Sequence, residues 1–178
     1  MNSKNATYNI MKEKGFPAKP LLETLEVPDC PLITLANVKF RENFFVQGPR
    51  KSGKTSYLTY IAREQLLPKR VSFQYFKIDD IVSNVTESWN NPNLRREYMS
   101  KIKSTHVIFI DDLGTETSGK ELTIKALTHF LSYRIDEFLP VIISSLVPHK
   151  NIKEEYGETI SEYLTSFNVL TIKNDFRR

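Results

Sequence analysis

Short apolar runs alternate with stretches of helical period along residues 41–178, the signature of a mostly parallel sheet covered by helices. Five such runs predict strands. Asn43 to Gln47 (NFFVQ) comes first, followed by a glycine-containing turn and a helix whose apolar positions Leu58, Ile61, Ala62 and Leu66 recur at helical spacing. Pro68 ends that helix. Val71 to Ile78 (VSFQYFKI) predicts the second strand and leads into a helical region from Asp79 to Lys103, broken at Asn90, Asn91 and Pro92. His106 to Ile110 (HVIFI) is nearly all apolar, as expected of a central parallel strand buried on both faces. A helix from about Gly119 to Glu137 then carries Leu122, Ala126, Phe130 and Tyr133 on one stripe, and Pro140 to Ser145 (PVIISS) forms the fourth strand. Ile152, Tyr156, Ile160 and Leu164 lie four apart on one further helix, before a last strand from Asn168 to Ile172.

Residues 1–40 read differently, with scattered lysines, four prolines at 17, 20, 28 and 31, and one short apolar cluster of Leu21, Leu22 and Leu25. They predict an N-terminal arm or linker, either folding on a partner or packing on the core, ahead of a domain spanning 41–178. At 178 residues a single domain with a sizeable core is expected, and 40% hydrophobic with 26% charged residues excludes disordered, collagenous and membrane classes. The polar start and the lack of an apolar run of about 20 residues predict a cytoplasmic protein with no membrane partner. Cys30 is the sole cysteine, which excludes an internal disulfide or a cysteine-rich metal site. A net charge of +4 permits nucleic-acid binding without pointing to it.

Gly48-Pro-Arg-Lys-Ser-Gly-Lys-Thr55 matches G-x-x-x-x-G-K-[ST] and lies between a predicted strand and a predicted helix. Given glycine at about 7% of residues, such a match arises by chance in under about 1% of chains this long. A loop of this kind points its backbone N–H groups at phosphate oxygens, and the following helix adds its positive end. The predicted ATP-binding positions are Gly48, Pro49, Arg50, Lys51, Ser52, Gly53, Lys54, Thr55 and Ser56. Lys54 would neutralise the β- and γ-phosphates and the Thr55 hydroxyl would hold Mg²⁺. Basic residues such as Arg50 and Lys51 at the variable loop positions also read as solvated surface. Four apolar residues precede Asp111 and Asp112, so Asp111 is predicted to serve the metal. Asp112 would orient or deprotonate the attacking water. The pair also suits a helix cap or turn.

Together these two motifs resemble the DnaC/DnaI-type helicase loaders and the related IstB transposition helper ATPases of the AAA+ class. The likeness runs from about Phe44 to Arg178 and includes Tyr133-Arg134, Ser144-Ser145-Leu146, Glu155-Tyr-Gly157-Glu158 and Asp175-Phe-Arg-Arg178. It implies a three-layer AAA+ core without a C-terminal helical lid, an ATPase that binds single-stranded DNA and delivers or opens the ring-shaped replicative helicase. An ATP-dependent oligomer, and a host loader or a transposase as the alternative partner, follow from the same likeness. Ser145 stands where the family places its γ-phosphate sensor, normally an asparagine preceded by threonine or serine. Arg177 or Arg178 is the candidate second sensor. Tyr163 occupies the position of the family's arginine finger, which leaves Arg134 or another arginine to substitute and opens a second reading, a nucleotide-gated adaptor or antagonist with little hydrolysis. The short N-terminal region points to a mobile-element version.

Basic residues fall in small groups, among them Arg95-Arg96 and Lys101-Lys103, close to Tyr98 and Trp89. That mixture suits a groove for single-stranded DNA, and also a solvated helix face. Trp89 also fits a core stripe with Val82 and Val85.

Overall fold

The computed structural model describes residues 3–26, 41–89 and 91–173. They form a five-stranded sheet in the order β2-β3-β4-β1-β5, every described pairing parallel, between two layers of helices. The strands are β1 (Phe44–Gln47), β2 (Phe73–Lys77), β3 (Val107–Leu113), β4 (Val141–Ser145) and β5 (Asn168–Thr171). All five overlap the predicted runs, with β3 running on to Leu113; the inner strands are apolar nearly throughout because both their faces are covered, whereas β5 at the edge is mostly exposed. Phe45, Ile108, Ile110 and Ile143 enter one core, while Phe44, Val46, Phe109 and Ile142 enter the other.

Five helices cover the first face: α4 (Ile78–Trp89), α5 (Pro92–Ser104), α6 (Lys120–Asp136), α7 (Ile152–Tyr156) and α8 (Glu158–Leu164). The spacing of Ile152, Tyr156, Ile160 and Leu164 predicts one helix, yet the structure makes two, broken at Gly157 (φ 86°). Both halves keep their apolar side chains in the same core, so the four-residue spacing survives the break. The α4–α5 break falls where expected, with the Asn91 side chain capping α5 through the N–H groups of Asn93 and Leu94.

On the opposite face α3 (Lys54–Ile61), extended by a wider π turn over Ala62–Leu66, covers β1 and β4. Residues 3–26 complete this layer as α1 (Ser3–Glu13) and α2 (Ala18–Glu26). Met11, Phe16 and Leu21 are fully buried there, beside Phe73, Tyr75 and Phe109. Burying each such side chain contributes about 1.5–3 kcal/mol, which is why this N-terminal segment packs on the core. Leu22 remains half-exposed. Cys30 lies outside the described residues.

Arg134 is fully buried at the other end of the molecule from the glycine loop. Its guanidinium donates to the carbonyls of Ile102, Thr105, His106 and Pro140 at 2.6–2.9 Å, joining the end of α5 to the starts of β3 and β4. This corrects the idea that Arg134 substitutes for an arginine finger, since a sealed side chain cannot reach a neighbouring subunit. Burial lowers its pKa to about 10, and it stays charged at neutral pH.

Candidate functional site

In a parallel sheet every strand delivers its following loop to the same edge, and ligands bind outside those carboxyl ends. Here β4 lies between β1 and β3, pairing Gln47 with Ser145 on one side and Leu113 with Ser145 on the other. The glycine loop and the aspartate pair therefore stand two strand spacings apart, about 10 Å, which leaves room for a phosphate chain and a cation. A cleft of about 340 Å³ occupies this gap, lined by Arg50 through Ser56, Asp112, Thr115, Leu146 and, from α2, Pro20.

The loop is built by close approach. A Cβ on Gly48 would lie 2.3 Å from the carbonyl oxygen of Ile172 and 2.9 Å from Ser52 Oγ, so only glycine lets the chain pass under β5. No side chain caps α3 at Gly53, and the first N–H groups of the helix face the cleft with its positive dipole end. Ser52 is 3% exposed and its hydroxyl has no hydrogen-bond partner, a buried polar atom aimed into a loop that would accept an anion. Lys54 Nζ donates to the carbonyls of Gly48 and Pro49, both at 2.8 Å. Burial pushes its ammonium below the ordinary lysine value, Asp111 and Asp112 pull the other way, and Arg50 adds to the lowering. A polyphosphate would supply the negative charge this ammonium lacks.

β3 extends to Leu113, past the predicted end at Ile110, so Asp111 and Asp112 belong to the strand. Asp111 is fully buried and accepts from the Tyr75 hydroxyl at 2.7 Å, from the Ser144 hydroxyl, and from the N–H of Asp112. Asp112 turns out of the ladder with φ 67°, where the register between β3 and β4 shifts, and its carboxylate meets Lys77 Nζ at 3.1 Å. The two aspartates thus differ: one is sealed and held, the other faces the cleft.

Among the described residues no three His, Cys, Asp or Glu side chains cluster as a metal cage. The donor set fits a Mg²⁺ that takes one carboxylate, one hydroxyl, waters and phosphate oxygens rather than a site made wholly of protein. Thr55 lines the cleft, whereas Asp111 is fully buried near the end of β3 and does not.

The sensors fare differently. Ser145 Oγ is buried and engaged with the Leu113 carbonyl and both backbone groups of Val147; the serine that touches Asp111 is its neighbour, Ser144. Arg177 lies outside the described residues. Tyr163 is half-buried against the core. Trp89 is 54% exposed, which corrects its place on a core stripe, whereas Tyr98 is buried at 8% and unavailable for stacking on a nucleic acid. Tyr75 and Lys77 escaped the sequence reading because nothing local marks them. Their partners lie on the neighbouring strand.

A model of the AAA domain family matches residues 41–173. The phage-like element PBSX protein XkdC of Bacillus subtilis (strain 168) is 28% identical over 130 residues, covering 69% of this chain and 48% of that protein. The chain thus spans about half the length of that relative. Among solved structures, the DnaC helicase loader superposes with a TM-score of 0.66 at 15% identity, over 86% of this chain and 88% of that one. Replication initiator DnaA bound to AMPPCP and single-stranded DNA gives 0.62 at 18% identity, over 87% of this chain and 46% of that one. Identities this low speak to the shared fold. The family match takes in the whole sheet, with the glycine loop and the aspartate pair, and on that ground the chain belongs to the AAA domain family.

Proposed function

We propose that this chain binds ATP with Mg²⁺ in the cleft between Gly48–Ser56 and Asp111–Asp112, and hydrolyses it to control a partner in DNA replication, as a helicase-loader-like factor. The observation that carries this reading is the meeting of Lys54 and Asp112 in one cleft at the carboxyl edge of the sheet. Lys54 leaves the loop carbonyls for the β- and γ-phosphates, and Ser52 and the start of α3 supply further donors. Thr55 and Asp111 would hold Mg²⁺, which when bound would spread charge from the phosphates. Asp112, facing the cleft and paired with Lys77 at 3.1 Å, takes the proton of the attacking water. Arg177 is the proposed second sensor, Ser145 senses the γ-phosphate only by giving up its bonds to Leu113 and Val147, and Ser144 acts on Asp111.

The fold shared with a helicase loader, and with an initiator whose structure holds AMPPCP and single-stranded DNA, supports a replicative hexameric helicase as partner and single-stranded DNA as a regulator. Likeness to a phage-element protein supports a mobile-element setting. Arg95 and Arg96 on α5, beside exposed Trp89 and Leu94, offer the surface for DNA.

The test is steady-state hydrolysis with and without single-stranded DNA, together with retention of a hexameric helicase on the immobilised protein. Turnover that disappears in Lys54→Ala, with helicase retained only in ATP, is the expected result. Lys54→Ala should weaken ATP binding about 10–100-fold, the worth of a charge-assisted hydrogen bond. Turnover unaffected by that change would sink the assignment of the site.

Tyr163 favours a second reading, in which an ATP-dependent oligomer lacks a finger from its neighbour and the protein acts as a nucleotide-gated adaptor on a host loader or a transposase. Tight ATP binding without turnover, in the presence of every candidate partner, would select it.

A further inference from the structure

We propose that Tyr75 is a positioning residue for Asp111, and that the turn Lys14–Phe16 of the N-terminal segment holds Tyr75 in place. The inference rests on the reading of Asp111 as the acid that serves Mg²⁺, and it adds two elements to the nucleotide site that lie far from its motifs.

The Tyr75 hydroxyl donates to Asp111 Oδ2 at 2.7 Å, while Oδ1 accepts from the Ser144 hydroxyl and from the N–H of Asp112 at 3.0 Å. Donors on both oxygens stop the carboxylate from rotating about its last bond. Tyr75 and Asp111 are 4% and 0% exposed, so water does not stand in for a missing donor, and a buried carboxylate without one is costly. Phenylalanine at this place would pack as well against the core but leave Oδ2 bare.

The N-terminal segment governs where that hydroxyl sits. β2 ends one side of the sheet in the described order, and the carbonyl of Lys14 accepts from both Tyr75 N (2.9 Å) and Gln74 Nε2 (2.8 Å), tying the turn to this edge by one backbone and one side-chain bond. A Cβ on Gly15, whose φ is +91°, would lie 2.6 Å from the Tyr75 carbonyl oxygen. The turn is closed down on the strand with no slack. Phe16 sets its ring 4.8 Å from that of Tyr75 and 5.4 Å from that of Phe109. A shift of the turn is thus felt first by Tyr75, and through its hydroxyl by Asp111.

Hydrogen bonds from the surroundings of a metal ligand typically change affinity 10–100-fold when removed. The experiment follows binding of a fluorescent ATP analogue to the full chain, once in EDTA and once through a Mg²⁺ titration, with thermal melting as a check on the fold. Tyr75→Phe should keep its affinity in EDTA and need about 10-fold more Mg²⁺ for half-maximal enhancement. Phe16→Leu, which keeps an apolar side chain, should shift the Mg²⁺ midpoint the same way by a smaller factor. Asp111→Asn should lose the enhancement altogether. A wild-type Mg²⁺ midpoint in Tyr75→Phe, or an equal loss of affinity with and without metal, overturns the positioning role while leaving Asp111 its own. An unmoved midpoint in Phe16→Leu overturns the part given to the turn. If Asp111→Asn keeps the Mg²⁺ enhancement, the reading of the acid falls and this inference falls with it.

Discussion

The two ends of the sheet each bury charge in an otherwise apolar interior, and they do so to opposite effect. At the amino ends of β3 and β4, Arg134 donates from both terminal nitrogens to four carbonyls, Nε alone going without a partner, and is closed off from solvent. At the carboxyl ends, Lys54 rests on two carbonyls of its own loop, Asp112 opens to the cleft, and Ser52 has a hydroxyl with no partner. Charge at the first end closes a structure. Charge at the second is left partly satisfied, in reach of a ligand that would complete it. A parallel sheet enforces the division, since all its strand-to-helix loops emerge on one side.

Replacing Arg134 breaks the comparison at its structural end. Arg134→Met would strip donors from four carbonyls, and at about 1–3 kcal/mol for each buried group left bare the loss should reach about 4 kcal/mol or more. Urea denaturation should show it as a fall in midpoint with little change in slope. Nucleotide affinity of the molecules that remain folded should be unchanged. A loss below about 1 kcal/mol would mean that water replaces the guanidinium, and the sealed clamp would not exist.

Asp112→Asn is the matching change at the other end. Asparagine tolerates the left-handed backbone that Asp112 adopts at φ 67°, so stability should hold. Loss of a general base should lower turnover about 10²–10⁴-fold with ATP still bound. Single-turnover hydrolysis read beside nucleotide affinity checks both halves. Lys77→Met should act more gently and in the other direction. The Lys77–Asp112 pair is half-exposed at 54% and 38%, a class worth about 0–1 kcal/mol, so freeing Asp112 should raise turnover by about 5-fold at most. Lys77→Arg, which preserves the charge, should not.

How far these contrasts could be read from the chain depended on how local their causes are. Strand positions and the glycine loop are set by runs of five to eight residues, so apolar period and spacing revealed them. Asp111 and Asp112 were found for the same reason, at the end of an apolar run. The environments that separate them were not, because Tyr75, Ser144 and Lys77 come from the two flanking strands and meet the acids only once the order β2-β3-β4 exists. The burial of Arg134, which the sequence offers as a substitute finger, has the same origin: its four acceptors lie on three other segments. Trp89 and Val85 share a helical stripe in sequence, yet α4 ends at Trp89, and a helix end projects past the core that its middle covers.

Backbone strain sharpens the comparison most finely. Lys51 and Asp112 at the cleft, and Phe138 after α6, are non-glycine residues with φ of 62°, 67° and 54°. A left-handed residue with a Cβ costs about 1–2 kcal/mol, and the extra freedom of glycine in the unfolded chain returns part of that. Phe138 is 90% exposed, so its ring contributes almost nothing to the core while its backbone closes the end of α6 in the place where glycine is usual. Phe138→Gly should therefore stabilise the fold by roughly 0.5–1 kcal/mol, seen as a small rise in the urea midpoint, and leave nucleotide binding and turnover as they were. Asp112→Gly relieves the same kind of strain and should also stabilise slightly, but turnover should collapse as it does in Asp112→Asn. If Phe138→Gly destabilises instead, its ring has a partner in the folded protein, and strain at the amino edge serves a contact just as strain at the carboxyl edge serves chemistry.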